Sequence, residues 1–110
     1  MTRPHKYLLN LFVVLRRSFG KVQLKHVASL NTTVVLRCKP PTGSPPPIVT
    51  WYKNGEPLIP RRGKRVRVTY KNDLVIQRLR RSDSGKYQCV AENMATRREG
   101  LVMALEVRGV

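Results

Sequence analysis

The residues with the clearest potential for covalent chemistry are two cysteines, Cys38 and Cys89, which lie 51 positions apart. Neither belongs to a CxxC motif, and neither His5 nor His26 stands near a cysteine at the spacing of zinc ligands. The sequence therefore predicts no metal site. An even number of cysteines at long separation in a small domain indicates one disulfide and an oxidising compartment. The alternative is a pair of reduced core cysteines in an intracellular protein.

The ionisable residues disfavour catalysis. The 110 residues include 22 Lys and Arg but only 6 Asp and Glu and 2 His, for a formal net charge of +16. Carboxylates and imidazoles are the usual groups of acid–base catalysis, so we expect no catalytic residues, no enzyme and no cofactor. A chain this basic is typical of proteins that meet polyanions, which include nucleic acids, anionic membrane surfaces and sulfated sugars.

The basic residues that could share one surface lie between positions 61 and 81. Neighbouring strands of a sheet are about 5 Å apart, so basic side chains on adjacent strands and turns can form a continuous patch. The planar guanidinium group suits sulfate and phosphate, which favours a sulfated glycosaminoglycan such as heparan sulfate as the ligand. The alternative is a solvated face without a specific ligand. The predicted polyanion-binding patch consists of Arg61, Arg62, Lys64, Arg67, Lys71, Arg78, Arg80 and Arg81.

Nucleic acid fits this sequence less well. Aromatic residues make up 6% of the chain, and at least Trp51 and Tyr87 are expected in the core. We find no recognition helix, RNP string or stacking platform in the sequence. The sequence therefore predicts no nucleic-acid partner.

Short strands must position these residues, because no stretch shows a convincing helical period. The prolines of segment 39–47 are expected to keep that loop out of any sheet. Asn54-Gly55 predicts a hairpin turn, and segment 80–85 predicts a single helical turn. Apolar alternation predicts strands over residues 22–27, 34–38, 48–52, 56–58, 65–70, 74–79, 86–92 and 96–107. About eight short strands with polar corners predict an all-β sandwich.

Four residues resemble the core of immunoglobulin domains. Trp51 stands 13 positions after Cys38, and Tyr87 stands two positions before Cys89. In that fold the indole packs on a disulfide between the two sheets, and the tyrosine hydroxyl bonds back to the backbone of a corner. The resemblance implies an immunoglobulin-like two-sheet sandwich with one disulfide between its sheets.

The string around the second cysteine extends this resemblance. Asp83 and Gly85 complete the pattern D-x-G-x-Y-x-C. In immunoglobulin domains this aspartate pairs with an arginine at the start of the facing strand, the position that Arg65 occupies here. We therefore expect Asp83 to fix a corner rather than to act in catalysis. The pattern CVAEN at residues 89–93 resembles the intermediate class, or I-set, of these domains.

Three strings resemble a particular receptor family. They are LRRSF at residues 15–19, VLRCKPPTGSPP at 35–46 and YQCVAENMATRRE at 87–99. They resemble the second immunoglobulin domain of the repulsive, "uncoordinated"-type netrin receptors, over about residues 15–108. The resemblance implies a cell-surface fragment that binds a netrin-like protein cue. Contact with a membrane would then be made only through missing parts of the receptor.

The start of the chain departs from that family. We expect a divergent segment over residues 1–19 and an I-set domain over 20–110. Arg3 and Lys6 precede the apolar run 7–15, which resembles a short signal peptide without a small-residue cleavage site. The alternative is a strand left over from a preceding domain.

One glycosylation sequon, Asn31-Thr32-Thr33, agrees with an extracellular location. The sequence predicts an extracellular recognition module of a netrin-receptor-like axon-guidance protein, which binds a protein cue with help from heparan sulfate. The alternative is a structural I-set spacer of an intracellular, muscle-type protein. Free thiols would favour the spacer, and a glycan on Asn31 would exclude it.

Overall fold

The computed structural model describes residues 14–15, 19–60 and 63–109. Most of the expected N-terminal segment, residues 1–19, lies outside these ranges. A short 3-10 helix covers Arg81–Asp83. The strands are β1 Val14–Leu15, β2 Lys25–Ser29, β3 Val34–Leu36, β4 Gly43–Ser44, β5 Ile48–Lys53, β6 Glu56–Pro57, β7 Val66–Val68, β8 Leu74–Ile76, β9 Gly85–Glu92, β10 Arg97–Glu99 and β11 Met103–Arg108.

Two sheets face each other across the core, which confirms the predicted all-β sandwich. The larger sheet follows the order β2-β11-β9-β5-β6, with β10 also paired to β9, and the smaller sheet follows the order β3-β8-β7. β2 runs parallel to β11, whereas the other described pairs are antiparallel. A separate ladder joins β1 to β4.

The core is formed by the inward residues that apolar alternation predicted. Leu36 lies on β3, Tyr87 on β9 and Met103 on β11, and each is at most 2% exposed. In a strand successive side chains point to opposite faces, so each strand contributes every second residue to the space between the sheets. Trp51 fills the centre of that space and is 1% exposed.

The final strand is not continuous, which corrects the prediction for residues 96–107. β10 pairs Glu99 with Val90, whereas β11 pairs Met103 with Tyr87, so the register shifts by one residue between them. Such a shift is a β-bulge, and it reverses the inward and outward positions of the residues that it contains. Leu101, which was expected to face the core, is therefore 66% exposed.

Gly100 explains where this bulge forms. Its N–H donates a hydrogen bond to the carbonyl oxygen of Cys89 at 2.8 Å. A Cβ atom at this position would lie 2.9 Å from that same oxygen, so only glycine permits the close approach.

The loop over residues 39–47 is also corrected. It was expected to lie outside any sheet, but Gly43 and Ser44 pair with Leu15 and Val14. These two residues keep their backbone N–H groups between the flanking prolines, so a short ladder can form there. The strand predicted over residues 22–27 corresponds to β2. It begins later than predicted, at Lys25, where parallel pairing with β11 starts.

The turn predictions hold. Asn54 and Gly55 have φ angles of 51° and 82° and connect β5 to β6, as in the primed hairpin turns. The 3-10 helix at Arg81–Asp83 is the expected single helical turn. Both features place polar backbone at the same end of the sandwich, next to the start of β9.

Candidate recognition site

The two cysteines join the sheets. Cys38 lies two residues after the end of β3 and Cys89 lies on β9, and they form a disulfide with a Cα–Cα distance of 6.1 Å. Trp51 is paired with Cys89 across β5 and β9. Its Nε1–H donates to the carbonyl oxygen of Asn72 at 2.9 Å, which ties the core to the turn after β7. The disulfide and the indole therefore make the sandwich a rigid support for its surface.

A buried carboxylate that the sequence did not single out supports the same region. Asp73 is 7% exposed. Its Oδ1 accepts from the backbone N–H of Cys38 at 3.0 Å, and its Oδ2 accepts from the Arg37 guanidinium at 3.2 Å. In the sequence, Asp73 falls in the short gap between the strands predicted over residues 65–70 and 74–79. Its contacts lie 35 and 36 positions away in the chain, so no local pattern marks them.

The corner before β9 is built on a second buried carboxylate, Asp83. Arg65 donates to it twice, from Nη1 to Oδ2 at 2.6 Å and from Nη2 to Oδ1 at 3.1 Å. The backbone N–H of Arg80 donates to Oδ2 at 2.8 Å. Tyr87 donates its hydroxyl proton to the carbonyl oxygen of Asp83 at 2.6 Å. The Asp83 carboxylate, the Arg65 guanidinium and the Tyr87 hydroxyl are thus all hydrogen-bonded within the fold.

Gly85 allows β5 and β9 to approach at this corner. A Cβ atom on Gly85 would lie 3.0 Å from Oδ1 of Asn54. That oxygen accepts from the backbone N–H of Lys86 at 2.9 Å. The glycine of the D-x-G-x-Y-x-C pattern therefore makes room for a side chain of the facing turn.

The ionisation of the corner agrees with a structural role. Burial raises the pKa of Asp83, but hydrogen bonds from Arg65 and from the Arg80 backbone outweigh it and hold this pKa below its ordinary value. The hydrogen bond to Asp83 raises the pKa of Arg65. Burial, followed by the negative charge of Asp83, raises the pKa of Tyr87. None of these groups is tuned to exchange protons near neutral pH.

The expected polyanion-binding patch is only partly described, since Arg61 and Arg62 lie outside the described residues. The remaining members are all exposed to solvent: Lys64, Arg67, Lys71, Arg78, Arg80 and Arg81.

The hairpin of β7 and β8 separates these cations. Lys64 and Arg78 lie at the end where β7 begins, opposite each other if the strand register is continued. Arg80 and Arg81 follow in the adjoining corner. Lys71 lies in the turn at the other end of the hairpin. We call Lys64, Arg78, Arg80 and Arg81 the corner cluster.

The corner cluster keeps most of its charge available. Arg81 donates to the carbonyl oxygen of Gly109 at 2.7 Å. Lys53, which is not a member of the predicted patch, reaches the same corner and donates to the carbonyl oxygen of Ser82 at 2.5 Å. In the described part of the chain, no carboxylate forms an ion pair with Lys64, Arg78, Arg80 or Arg81.

A second exposed group lies on the outer face of the larger sheet. The Arg97 guanidinium lies 5.8 Å from the centre of the Tyr52 ring and 2.8 Å from Oε2 of Glu99. The hydrogen bond with the Tyr52 hydroxyl, followed by the charge of Glu99, raises the pKa of Arg97. Ile48 and Met94 are 77% and 80% exposed. In the sequence, the Arg97-Arg98 pair contributes only to the family resemblance of residues 87–99.

Two further features bear on the class of site. Among the residues that the structure covers, no helix has the length and apolar character needed to cross a bilayer. The same residues contain no group of three or more His, Cys, Asp or Glu side chains arranged to hold a metal ion.

The sequence matches a known family and known proteins. An immunoglobulin domain model matches residues 21–93. Roundabout homolog 4 of Mus musculus is 36% identical over 96 residues, and Roundabout homolog 1 of Mus musculus is 37% identical over 95 residues. Each match covers 86% of this chain but only 9% and 6% of the respective relative. The chain thus spans less than a tenth of these curated relatives.

Solved structures agree on the fold. The tandem Ig repeats of Dlar superpose with a TM-score of 0.71 at 30% identity, covering 88% of this chain and 48% of that one. The Sidekick-1 immunoglobulin domains 1–5 give a TM-score of 0.71 at 28% identity, covering 83% of this chain and 19% of that one. Both structures contain several immunoglobulin domains, of which this chain matches about one.

These relatives correct the receptor family expected from the sequence. The three strings suggested the netrin receptors, whereas the relatives described above are Roundabout homologues. The expectation of an extracellular module of a cell-surface receptor holds, because the relatives are cell-surface receptors with extracellular domains of this kind. The disulfide between Cys38 and Cys89 fits the same compartment. The chain is a non-enzymatic, extracellular receptor module and belongs to the immunoglobulin domain family.

Proposed function

We propose that this domain recognises a protein cue for an axon-guidance receptor and that heparan sulfate assists through the corner cluster. The observation that carries the polyanion part is a group of exposed cations at one end of the sandwich, for which the described residues supply no carboxylate partner. Its arginines offer planar groups that suit sulfate.

The charge balance explains why this cluster is not neutralised within the fold. The chain has 6 Asp and Glu for 22 Lys and Arg. Most of these carboxylates already bind arginines outside the cluster: Asp73, Asp83, Glu99 and Glu106. A polyanion would therefore meet the corner cluster without first displacing an internal salt bridge.

The observations define the protein cue less closely than the polyanion. The sequence strings favoured a netrin-like ligand, and the relatives support a protein ligand without naming one, so netrin is the candidate chosen for testing. A fixed basic surface raises the rate at which acidic or sulfated partners associate, because the attraction acts before contact. A spacer role has less support, since titin domain M7 resembles this chain at 23% identity and shares the fold alone.

The polyanion part is tested on immobilised heparin with the oxidised chain. A corner variant combines Lys64→Gln, Arg78→Asn and Arg80→Gln, with asparagine chosen because residue 78 has a φ of 49°. A control variant removes the same number of charges elsewhere through Lys21→Gln, Lys25→Gln and Lys39→Gln. We expect the corner variant to elute at clearly lower salt than the control. Equal elution of the two variants would reduce the effect to net charge and refute the assignment.

The protein part uses immobilised netrin, with and without soluble heparin, over a salt series. Saturable binding that persists at about 0.15 M salt supports a specific interface, because exposed charge contacts are largely screened there. Heparin binding without netrin binding would leave the polyanion site and exclude netrin as a cue for this domain.

A further inference from the structure

The sequon residue Asn31 lies beside the corner cluster. Asn31 is exposed, and it sits in the turn between β2 and β3 with a φ of 67°. Its backbone N–H donates to the carbonyl oxygen of Leu79 at 2.9 Å, and the N–H of Leu79 donates to the carbonyl oxygen of Thr32 at 2.9 Å. This pair of hydrogen bonds fixes the turn against residue 79.

The neighbours of residue 79 are two members of the cluster. Leu79 is 1% exposed, whereas Arg78 and Arg80 are exposed on either side of it. Hydrogen-bonded chains lie about 5 Å apart, and consecutive Cα atoms are about 3.8 Å apart. Both arginines are therefore direct chain neighbours of the residue that is hydrogen-bonded to the sequon turn.

The sequon is accessible for modification. Asn31 and Thr33 are exposed, and Thr32 between them donates its hydroxyl proton to the carbonyl oxygen of Ser29 at 2.7 Å. Asn31 is the only asparagine of the sequence in an N-x-S/T context. The extracellular route of the domain passes through the compartment where such sequons are glycosylated.

We propose that Asn31 carries an N-linked glycan and that this glycan restricts the access of polyanions to the corner cluster. The inference rests on the proposed heparan sulfate function. A glycan is bulky and hydrated, and one attached beside Arg78 and Arg80 occupies the space that a sulfated chain needs in order to reach them. Lys71, at the far end of the β7–β8 hairpin, is not covered. Glycan occupancy would thus set how strongly the receptor module engages heparan sulfate.

The test compares the full chain, secreted from a eukaryotic host, with its Thr33→Ala variant. This substitution removes the sequon and keeps Asn31, which suits the left-handed backbone at that position. Trimming the wild-type glycan to its first sugar gives a second comparison without any change in sequence. We expect intact mass to show a full glycan on the wild type, a single sugar on the trimmed protein and no sugar on Thr33→Ala. The wild type should elute from heparin at lower salt than both the variant and the trimmed protein.

The outcomes separate the two proposals. A wild-type mass without a glycan overturns the inference. A glycan with equal elution of all three proteins overturns the masking role and leaves the heparan sulfate proposal standing. A Thr33→Ala protein that fails to bind heparin refutes the heparan sulfate proposal itself, and the masking role falls with it.

Discussion

The two ends of the β7–β8 hairpin each bury an aspartate, and the two aspartates are held in different ways. Asp83 accepts hydrogen bonds from both terminal nitrogens of Arg65, whose side chain is 16% exposed. Asp73 accepts a hydrogen bond from only one nitrogen of Arg37, whose side chain is 61% exposed. The first is a partly buried, bidentate ion pair, and the second is a buried carboxylate with a solvated partner.

The difference shows where charge contributes to this fold. Exposed ion pairs contribute little, because water and salt screen them. Removing one member of a buried pair is costly, because the other charge is left without compensation. At the Asp73 end the important contact is therefore the hydrogen bond from the Cys38 backbone. At the Asp83 end the guanidinium itself is important.

The largest effect is expected from removing the carboxylates. Asp83→Ala should lower the free energy of unfolding by about 3 kcal/mol, because Arg65 and the Arg80 N–H both lose their partner. Asp73→Ala should cost about 1–2 kcal/mol, the cost of leaving the buried Cys38 N–H unsatisfied. Urea unfolding with the disulfide intact measures both. An equal decrease in the free energy of unfolding for both variants would contradict the distinction between the two ends of the hairpin.

A smaller and more selective effect is expected from removing the arginines. Arg65→Ala should cost about 2 kcal/mol, because it leaves Asp83 buried with fewer donors. Arg37→Ala should cost less than about 0.5 kcal/mol. Arg67→Ala serves as the matched control, because Arg67 is an exposed residue of β7 without an ion pair among the described residues.

Melting temperatures of the three arginine variants provide the measurement. We expect only Arg65→Ala to melt clearly below the wild type. If Arg37→Ala lowered the melting temperature as much as Arg65→Ala, the solvated ion pair would stabilise the fold after all.

How far the sequence could predict these two ends depends on how local their contacts are. The corner at Asp83 was predictable because its aspartate, glycine and tyrosine fall within one short string. Asp73 was not, because its partners lie on another strand and it resembles any polar turn residue. The position of Leu101 was missed for a related reason. Apolar alternation does not reveal the bulge at Gly100, which depends on contact with Cys89.

The functional prediction divides in the same way. The disulfide, the core and the receptor class were predictable because they depend on residues that pack or bond within the domain. The receptor family was not, because the strings used for it describe the loops and core of the domain rather than a ligand contact. The patch was predicted as one surface from spacing along the chain, whereas the hairpin register places Lys71 apart from the corner cluster.

The smallest expected effect is the change that acid causes in the contribution of Asp83 to the free energy of unfolding. The pKa of Asp83 is lower in the folded protein than its ordinary value of 3.8. The unfolded chain therefore takes up a proton first as the pH falls. The stabilisation from this carboxylate is complete above about pH 5 and is lost as the pH drops through the folded pKa.

The matched comparison for acid is Asp83→Asn, which keeps the shape of the side chain and removes its charge. Glu106, whose pKa is lowered by its hydrogen bond to Arg108, contributes the same pH dependence to both proteins. Between about pH 6 and pH 3, the free energy of unfolding should therefore fall more for the wild type than for Asp83→Asn. Parallel curves would mean that the charge of Asp83 adds nothing beyond its hydrogen-bonding shape, and the contrast between the two ends of the hairpin would then be one of geometry alone.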